Sequence, residues 1–418
     1  MTEDLLRVRN LKTRFFTAEG QINAVENVSF DLRKGEVFGI VGESGSGKSV
    51  TGLSVIDLIE SPGRIVDGEI WYRSEELATT FAGNSEVAVD GEFVDLRTVP
   101  QRQRDYLRGT AFSMVFQDPL SSFNPSLTVG EQIAEAVESQ RRASANPRST
   151  RTRTSDYGIS SFLLDSLNPW QSYVSDASKD RAVELLARVD IPDPARRAEE
   201  YPHQFSGGML QRAMIAQALA VDPDILIADE PTTALDVTIQ AQLLELLSEM
   251  QAETDMSILL ITHNLGVIAR LADRIGVMYA GEVVERGPRE NVLQNPHNPY
   301  TVGLLNSIPR IDTDASERKS LEPIAGNVPS LQDSELGDCC YFADRCPERK
   351  PECTAAKPRE RSIPGQPDHQ ARCVLVDESG PSDESDGEEV PTEPPVDEVR
   401  GMNVTDAESR PGEGRADD

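Results

Sequence analysis

A glycine-rich octapeptide near the N-terminus is the strongest chemical signal in the sequence. Glycines let the backbone curl so that successive N–H groups point at one anion, and a lysine ammonium can reach the β- and γ-phosphates. The hydroxyl that follows the lysine is a ligand for Mg²⁺. The octapeptide is Gly42, Glu43, Ser44, Gly45, Ser46, Gly47, Lys48, Ser49. This spacing predicts a cradle for a nucleoside triphosphate.

Three polar residues that follow buried-strand patterns extend this chemistry. Asp229 ends the apolar run 225–228, and Glu230 follows it directly. A carboxylate at a strand tip can hold Mg²⁺ through water, and a second acid beside it is placed to polarise an attacking water molecule. His263 follows the next apolar run, 258–262, and is placed to contact the γ-phosphate. The pattern predicts hydrolysis of the triphosphate.

A second candidate anion site opens the helical pattern that runs to residue 219. It consists of Ser206, Gly207, Gly208 and Met209. A serine before a helix caps its first turn, and the helix N-terminus attracts anions. The same residues are compatible with an ordinary capped helix. Their position ahead of the strand that ends at Asp229 favours the functional interpretation.

The elements that must position these residues follow from hydrophobic patterning. Short apolar runs without alternation are typical of a central parallel sheet, and helical periodicity separates them. These runs are 37–41, 112–116, 225–229 and 258–262. Alternation in residues 5–41 predicts strands, and a hairpin is expected around Ala280 and Gly281. The expected fold class is α/β.

Composition limits the kinds of partner. The formal net charge is −30, of which residues 376–418 contribute 15 acidic side chains against three arginines. Nucleic-acid backbones attract basic surfaces, so we expect no nucleic-acid partner. No apolar stretch approaches the roughly 20 residues needed to cross a bilayer, and no apolar segment after Met1 marks the chain for secretion. The acidity is typical of proteins from salt-loving microbes.

Taken together, the motifs over residues 5–286 resemble the ATP-binding subunits of ABC transporters. Their order is that of the family: Walker A at 42–49, the Q-loop at Gln117, the signature at 206–209, Walker B at 225–230, the D-loop at Asp236 and the switch histidine at His263. The resemblance implies a RecA-like P-loop NTPase core with an antiparallel β subdomain and an inserted α-helical subdomain.

The same resemblance assigns roles within that core. It implies ATP and Mg²⁺ as cofactors, with Ser49, Gln117 and Asp229 around the metal and with Glu230 and His263 as catalytic residues. In a head-to-tail dimer the signature residues 206–209 would contact the ATP that the partner subunit holds. Adenine would stack on Phe15, for which Phe16 is the competing choice.

Met209, where most ABC proteins carry glutamine, indicates one branch of the family. With residues 229–242 and 298–309 it resembles the D-type ATPase subunit of oligopeptide, dipeptide and nickel importers. That branch implies a second, F-type ATPase subunit, two transmembrane permease subunits and an extracellular solute-binding protein. It also implies a peripheral position at the cytoplasmic face of the cell membrane. The solute stays open, because related importers carry peptides, nickel or sugars.

All five cysteines lie between residues 339 and 373. A disulfide framework would be unusual in a large cytosolic ATPase. The segment resembles the C-terminal extension of the same importers, some of which hold a [4Fe–4S] cluster. The matching residues are Cys340, Cys346, Cys353 and Cys373, and the adjacent Cys339 is an alternative first ligand. Four thiolates suit a cluster, a tetrahedral zinc ion fits the same ligands, and free buried thiols are the third interpretation.

The expected domains follow from these segments. They are an ATP-binding domain at 1–290, a C-terminal extension at 291–375 and a disordered acidic tail at 376–418. Within the first, a helical subdomain is expected at about 118–205, with insertions at about 73–98 and 139–178. Two rival functions are a soluble ABC ATPase of translation or DNA repair and an exporter ATPase. The single Walker A motif and the absence of heptads disfavour the first, and the C-terminal extension disfavours the second.

Overall fold

Two β-sheets organise the structure, a computed structural model that describes residues 3–145, 174–233, 235–307, 324–332 and 337–376. The strands are β1 (Asp4–Thr17), β2 (Gly20–Arg33), β3 (Val37–Val41), β4 (Gly63–Arg73), β5 (Val89–Asp90), β6 (Phe93–Asp95), β7 (Phe112–Val115), β8 (Ile225–Asp229), β9 (Ser257–Thr262), β10 (Arg274–Tyr279), β11 (Glu282–Pro288), β12 (Arg361–Ile363) and β13 (Gln366–Ala371).

Helices follow most of the central strands, as a parallel sheet requires. They are α1 (Lys48–Val55), α2 (Glu75–Phe81), α3 (Gln101–Leu107), α4 (Pro119–Ser122), α5 (Val129–Ala145), α6 (Asp176–Arg188), α7 (Pro194–Ala198), α8 (Gly207–Leu219), α9 (Val237–Thr254), α10 (Leu265–Leu271), α11 (Arg289–Gln294), α12 (Pro299–Asn306) and α13 (Glu352–Ala355). Within the described residues, no helix is both long and apolar enough to span a membrane.

The larger sheet has the strand order β12-β13-β11-β10-β3-β9-β8-β7. Strands β10, β3, β9, β8 and β7 run parallel to one another. Their carboxyl ends therefore meet at one edge, which is where ligands bind in such sheets. The α/β class and the parallel sheet predicted from the apolar runs are confirmed.

Side chains of the central strands alternate between two cores. Along β8, Leu226 and Ala228 pack with helices α5, α6, α8 and α9, whereas Ile225 and Ile227 pack against the smaller sheet. That smaller sheet is antiparallel, with the order β2-β1-β4-β6-β5. Burial on both faces explains why β8 is apolar from Ile225 to Ala228, without the alternation of a half-exposed strand.

Several segments depart from their simple sequence interpretation. Residues 73–98, expected to be a surface insertion, contribute α2, β5 and β6 and bury Leu77 and Phe93. The expected insertion at 139–178 begins as a continuation of α5 to Ala145, while residues 146–173 and 377–418 lie outside the described part of the chain. The hairpin of β10 and β11 at Ala280 and Gly281 is confirmed.

The C-terminal extension continues the sheet of the ATP-binding core. Strand β13 pairs with β11, opposing Ala371 to Glu285 and Gln370 to Arg286. The fully buried His369 places Nε2 at 2.8 Å from Oε1 of Glu285. Because both side chains are inaccessible to solvent, this contact fastens the extension to the core.

Candidate nucleotide-binding site

The glycine-rich octapeptide forms a tight loop between β3 and α1. Gly47 precedes the helix with φ of 96°, in the left-handed region that favours glycine. A Cβ atom added to Gly47 would lie 2.2 Å from the carbonyl oxygen of Ala24, and one added to Gly42 would lie 2.0 Å from that of Met278. Neighbouring backbone therefore fixes both positions as glycine, and it holds the loop in a curled shape.

The reactive side chains of the loop lie inside this curl. Lys48 Nζ donates to the carbonyl oxygens of Gly42 and Glu43, both at 2.9 Å. Ser49 Oγ donates to Oδ1 of Asp229 at 3.0 Å. The Ser46 hydroxyl is buried and has no hydrogen-bond partner among the described residues.

Glu230 joins the predicted catalytic residues to one another. It adopts φ of 49°, and its backbone N–H donates to the carbonyl of Ile261 at the end of β9. His263 Nδ1 lies 2.9 Å from Glu230 Oε1, and Gln117 Nε2 lies 3.4 Å from Glu230 Oε2. The Thr233 hydroxyl, to which the sequence motifs assigned no role, donates to Oε2 at 2.7 Å.

The local electrostatics separate the two neighbouring acids. Burial, together with the negative charge of Glu230, raises the pKa of Asp229 to about 6, although the hydrogen bond from Ser49 opposes this rise. Burial acts in the same direction on Glu230, but hydrogen bonds with His263 and Thr233 outweigh it and lower the pKa of Glu230 below its usual value. Burial lowers the pKa of Lys48, against the attraction of Glu230, Asp229 and Glu43. At neutral pH Glu230 is thus a carboxylate with a fixed orientation.

These residues fit a magnesium-bound triphosphate. The curled loop offers backbone N–H groups and the unpartnered Ser46 hydroxyl, and Lys48 supplies a buried positive charge. The oxygens of Ser49 and Asp229 lie together at the loop's helical end, and Mg²⁺ prefers such oxygen ligands.

The two candidate adenine contacts lie on β1, in the hairpin whose second strand contacts Gly47. Phe15 is half-buried and packs so closely on Gly63 that a Cβ there would lie 2.6 Å from its ring. Phe16 is 37 % exposed, and the guanidinium of Arg64 lies 4.2 Å from its ring centroid. The assignment of the adenine contact to Phe15 stays a prediction.

The signature residues lie at the N-terminus of α8. Ser206 caps the helix by accepting from the backbone N–H of Met209 at 3.3 Å, and Gly207 is exposed. A Cβ on Gly208 would lie 3.0 Å from Ile239 Cγ2. Asp236 caps the neighbouring α9 through the N–H of Ile239, at 2.9 Å. The signature and the D-loop residue therefore share one open surface.

The four predicted cysteine ligands lie in one region but do not form a metal site. Burial raises the pKa values of Cys340 and Cys373 to about 11, and it also raises that of Cys346. The backbone N–H of Cys340 donates to the carbonyl of Cys353 at 2.8 Å. Among the residues that the structure describes, no three His, Cys, Asp or Glu side chains are arranged to hold a metal ion. The side chains present therefore do not fit a cluster or zinc.

Comparison with known proteins agrees with this geometry. Residues 25–233 match the family described as ABC transporter, and residues 284–353 match the family described as oligopeptide/dipeptide transporter, C-terminal region. The chain belongs to the ABC transporter family. It is an ATP-binding subunit whose ATP hydrolysis is coupled to transport, as the sequence predicts.

Relatives align with this ABC subunit over most of their length. It is 42 % identical over 381 residues to the dipeptide transport ATP-binding protein DppD of Bacillus subtilis, covering 90 % of this chain and 96 % of that one. It is 41 % identical over 377 residues to a peptide import ATP-binding protein of Brucella melitensis, covering 89 % and 97 %.

One solved structure is similar to this subunit, and its similarity supports the fold but not a function. The dimeric, post-hydrolysis state of the ATP-binding cassette MJ0796, bound to ADP and Pi, matches with a TM-score of 0.50 at 23 % identity. The match covers 68 % of this subunit and 98 % of that chain. It confirms the ABC-type P-loop fold that the motif order implied.

Proposed function

We propose that this subunit hydrolyses ATP to drive the import of dipeptides or short oligopeptides. One observation carries the proposal: a phosphate-loop site with its acids and histidine lies in the same chain as a C-terminal region of the oligopeptide/dipeptide transporter type. The Bacillus and Brucella relatives, which carry names of dipeptide transport and peptide import, support the same solute class.

Within the site we assign the chemistry to this chain's own residues. Lys48, whose Nζ lies 2.9 Å from the carbonyl oxygens of Gly42 and Glu43, binds the β- and γ-phosphates. Ser49 and Asp229 would hold Mg²⁺, which neutralises charge on the phosphates. Glu230 accepts a proton from the attacking water, and His263 fixes the carboxylate that does so. Gln117 links Glu230 to the segment that begins α4.

The second nucleotide surface belongs to a dimer. We propose that Ser206, Gly207, Gly208 and Met209 contact the triphosphate held by an F-type ATPase subunit. The exposure of Ser206 and Gly207 supports this, because a capped helix N-terminus that faces solvent is available to an anion from outside the chain. Asp236 lies beside it and would face the same partner.

The permease subunits are expected to dock beside Gln117. Apolar side chains near this residue are unusually exposed: Leu120 by 65 %, Phe116 by 39 % and Leu127 by 36 %. Such a group on an otherwise acidic surface is typical of a protein interface. We propose that this face meets two transmembrane permeases at the cytoplasmic side of the membrane, and that an extracellular solute-binding protein delivers the solute.

Two further hypotheses, on the source organism and on an iron–sulfur cluster, rest on different observations. The net charge of −30 supports an origin in a salt-loving microbe. A [4Fe–4S] cluster on the four cysteines is implied only by the resemblance, because the thiol arrangement does not fit a metal site. Assay of iron and acid-labile sulfide in anaerobically purified protein tests it.

The test is transport by the reconstituted complex in proteoliposomes. We expect uptake of a dipeptide that depends on ATP. Glu230→Gln should bind ATP normally but lower turnover by about 10²–10⁴-fold, the usual contribution of a general base. Glu290→Gln, on an exposed position of α11, is the matched control and should transport normally.

Each failure of this test points to a different error. ATP-dependent uptake of a sugar or nickel ion without peptide uptake would refute the proposed solute. ATPase activity that neither the permeases nor the solute alters would favour an uncoupled ATPase. Wild-type-like turnover by Glu230→Gln would remove Glu230 from its catalytic role.

A further inference from the structure

Arg345, in the C-terminal region, contacts the phosphate loop. It does so on the side of the loop opposite to β8 and β9, the strands that Glu230 and His263 follow. Arg345 forms a two-pronged ion pair with Glu43: Nη1 lies 2.7 Å from Oε2, and Nη2 lies 3.0 Å from Oε1. Glu43 is the second residue of the glycine-rich loop, and 302 positions separate it from Arg345. Two parallel N–H···O bonds give such a pair both strength and a fixed orientation.

The surroundings show that this arginine is built into its position. Its side chain is only 7 % exposed. Nε donates to the carbonyl of Ala325 at 3.0 Å, Nη1 to the Tyr279 hydroxyl at 3.3 Å and Nη2 to the carbonyl of Ile324 at 3.4 Å. With the bonds to Glu43, every nitrogen of the guanidinium is occupied, unlike a typical surface ion pair.

Glu43 itself is held from three sides. Its carboxylate meets Arg345, its backbone N–H donates to the Tyr300 hydroxyl at 3.0 Å, and its carbonyl accepts from Lys48. Tyr300 packs with Tyr279, ring centroids 4.5 Å apart. The loop residue next to Gly42 is therefore fixed by Lys48 of the same loop and by two residues from beyond position 290, Tyr300 and Arg345.

The charge of Glu43 explains why its pairing with Arg345 is important for nucleotide binding. A carboxylate in a loop that binds a highly negative triphosphate repels its ligand unless it is neutralised. The negative charge of Glu43 reaches the Lys48 ammonium, where it acts with Asp229 and Glu230 against the lowering of the lysine pKa by burial. Glu43 is thus close enough to affect the group that meets the phosphates.

We propose that Arg345 is a positioning residue for ATP: it neutralises Glu43 and holds the phosphate loop in its binding shape. The C-terminal region thereby becomes part of the nucleotide site through a side chain directly beside Cys346. The inference rests on the proposed function only in that this loop binds ATP.

The test compares variants of the full-length subunit by affinity for Mg²⁺ with a non-hydrolysable ATP analogue. Arg345→Gln should weaken affinity about tenfold, a loss close to the lower end of the range for a hydrogen bond to a charged group. In the assembled importer, KM for ATP should rise similarly with kcat changed less than about twofold. Adding Glu43→Gln to Arg345→Gln should restore most of the affinity, because the unpaired negative charge is then gone.

Arg286→Gln is the matched control. Arg286 also makes a two-pronged pair between the core and the C-terminal region, with Glu360 at 2.8 and 3.3 Å, but not with the loop. It should change nucleotide affinity less than about twofold. Equal weakening by Arg286→Gln and Arg345→Gln would reduce the role of Arg345 to docking and overturn the proposal.

Other outcomes are equally decisive. Unchanged affinity in Arg345→Gln, or no recovery on adding Glu43→Gln, would overturn the proposal. If Arg345→Gln does not fold, Arg345→Lys keeps the charge but loses the fork and should weaken binding about threefold; unchanged binding there also overturns it. A wild-type subunit that binds no ATP analogue would instead refute the proposed function.

Discussion

Asp229 is expected to destabilise the nucleotide-free protein, and Asp229→Asn should therefore stabilise it. Asp229 is 5 % exposed, and its hydrogen bond from Ser49 is one that an asparagine oxygen also accepts. The substitution thus removes a buried charge while preserving shape and the Ser49 contact. Stability and the proposed function are opposed at this residue, because the magnesium ligand that we propose it to be must stay ionised.

The size of the effect follows from the pKa. Burial raises the pKa of Asp229 from 3.8 to about 6, so the folded protein holds a proton between about pH 4 and pH 6 that the unfolded chain has released. The stability contributed by this proton is complete below pH 4 and is lost as the pH rises through 6. At about 1.4 kcal/mol per pH unit, ionisation costs about 3 kcal/mol at pH 7.5 and about 1.5 kcal/mol less at pH 5.

The assay is equilibrium urea unfolding at both pH values and one fixed salt concentration. Without nucleotide, Asp229→Asn should exceed wild type by up to about 3 kcal/mol at pH 7.5 and by about half of that at pH 5. Asp344→Asn, at an exposed surface pair, is the control and should stay within about 0.5 kcal/mol.

A bound ATP analogue should reverse the order of stability of wild type and Asp229→Asn. At a hundredfold excess over Kd, a magnesium-bound ATP analogue should stabilise wild type by about 2.7 kcal/mol and Asp229→Asn much less. If Asp229→Asn were less stable than wild type at pH 7.5 without nucleotide, the buried charge would not be the main influence of this side chain on stability, and the reasoning would be refuted.

Two further predictions concern the loop and the joint with the C-terminal region. Gly47→Ala should lower the free energy of unfolding by at least about 1 kcal/mol more than Gly45→Ala does. Both glycines have positive φ, but only at Gly47 does the new Cβ overlap a carbonyl, that of Ala24. Equal urea midpoints of the two variants would contradict this. Glu285→Ala should cost about 3–5 kcal/mol, because it leaves His369 and two backbone N–H groups without their buried acceptor; a loss below about 1 kcal/mol in the same assay would contradict it.

The sequence predicts the phosphate loop and the central strands because their signals are local. Gly47 must be glycine because of its own φ and because one carbonyl lies close to it, and the run 225–228 is apolar because both faces of the strand are buried. The helix at 237–254 also matches its periodicity, with Leu243 and Leu247 fully buried.

Contacts between residues that are far apart in the sequence left no local signal from which they could be predicted. Strand β13 is mostly polar in sequence, and its burial depends on the pairing of His369 with Glu285, 84 positions away. The ion pair of Arg345 with Glu43, 302 positions away, likewise left no pattern in the sequence. Such pairs depend on three-dimensional proximity, which periodicity and spacing do not encode.

The charges around Lys48 explain why the C-terminal region belongs to this nucleotide site. One buried ammonium faces Glu43, Asp229 and Glu230, and an incoming triphosphate adds further negative charge. Each acid is compensated by different groups: Glu230 by hydrogen bonds with a histidine and a threonine, Asp229 by the hydrogen bond from Ser49, and Glu43 by Arg345. Among these compensating groups only Arg345 comes from beyond residue 290. A core that ended there would therefore present an unpaired carboxylate to its own ligand.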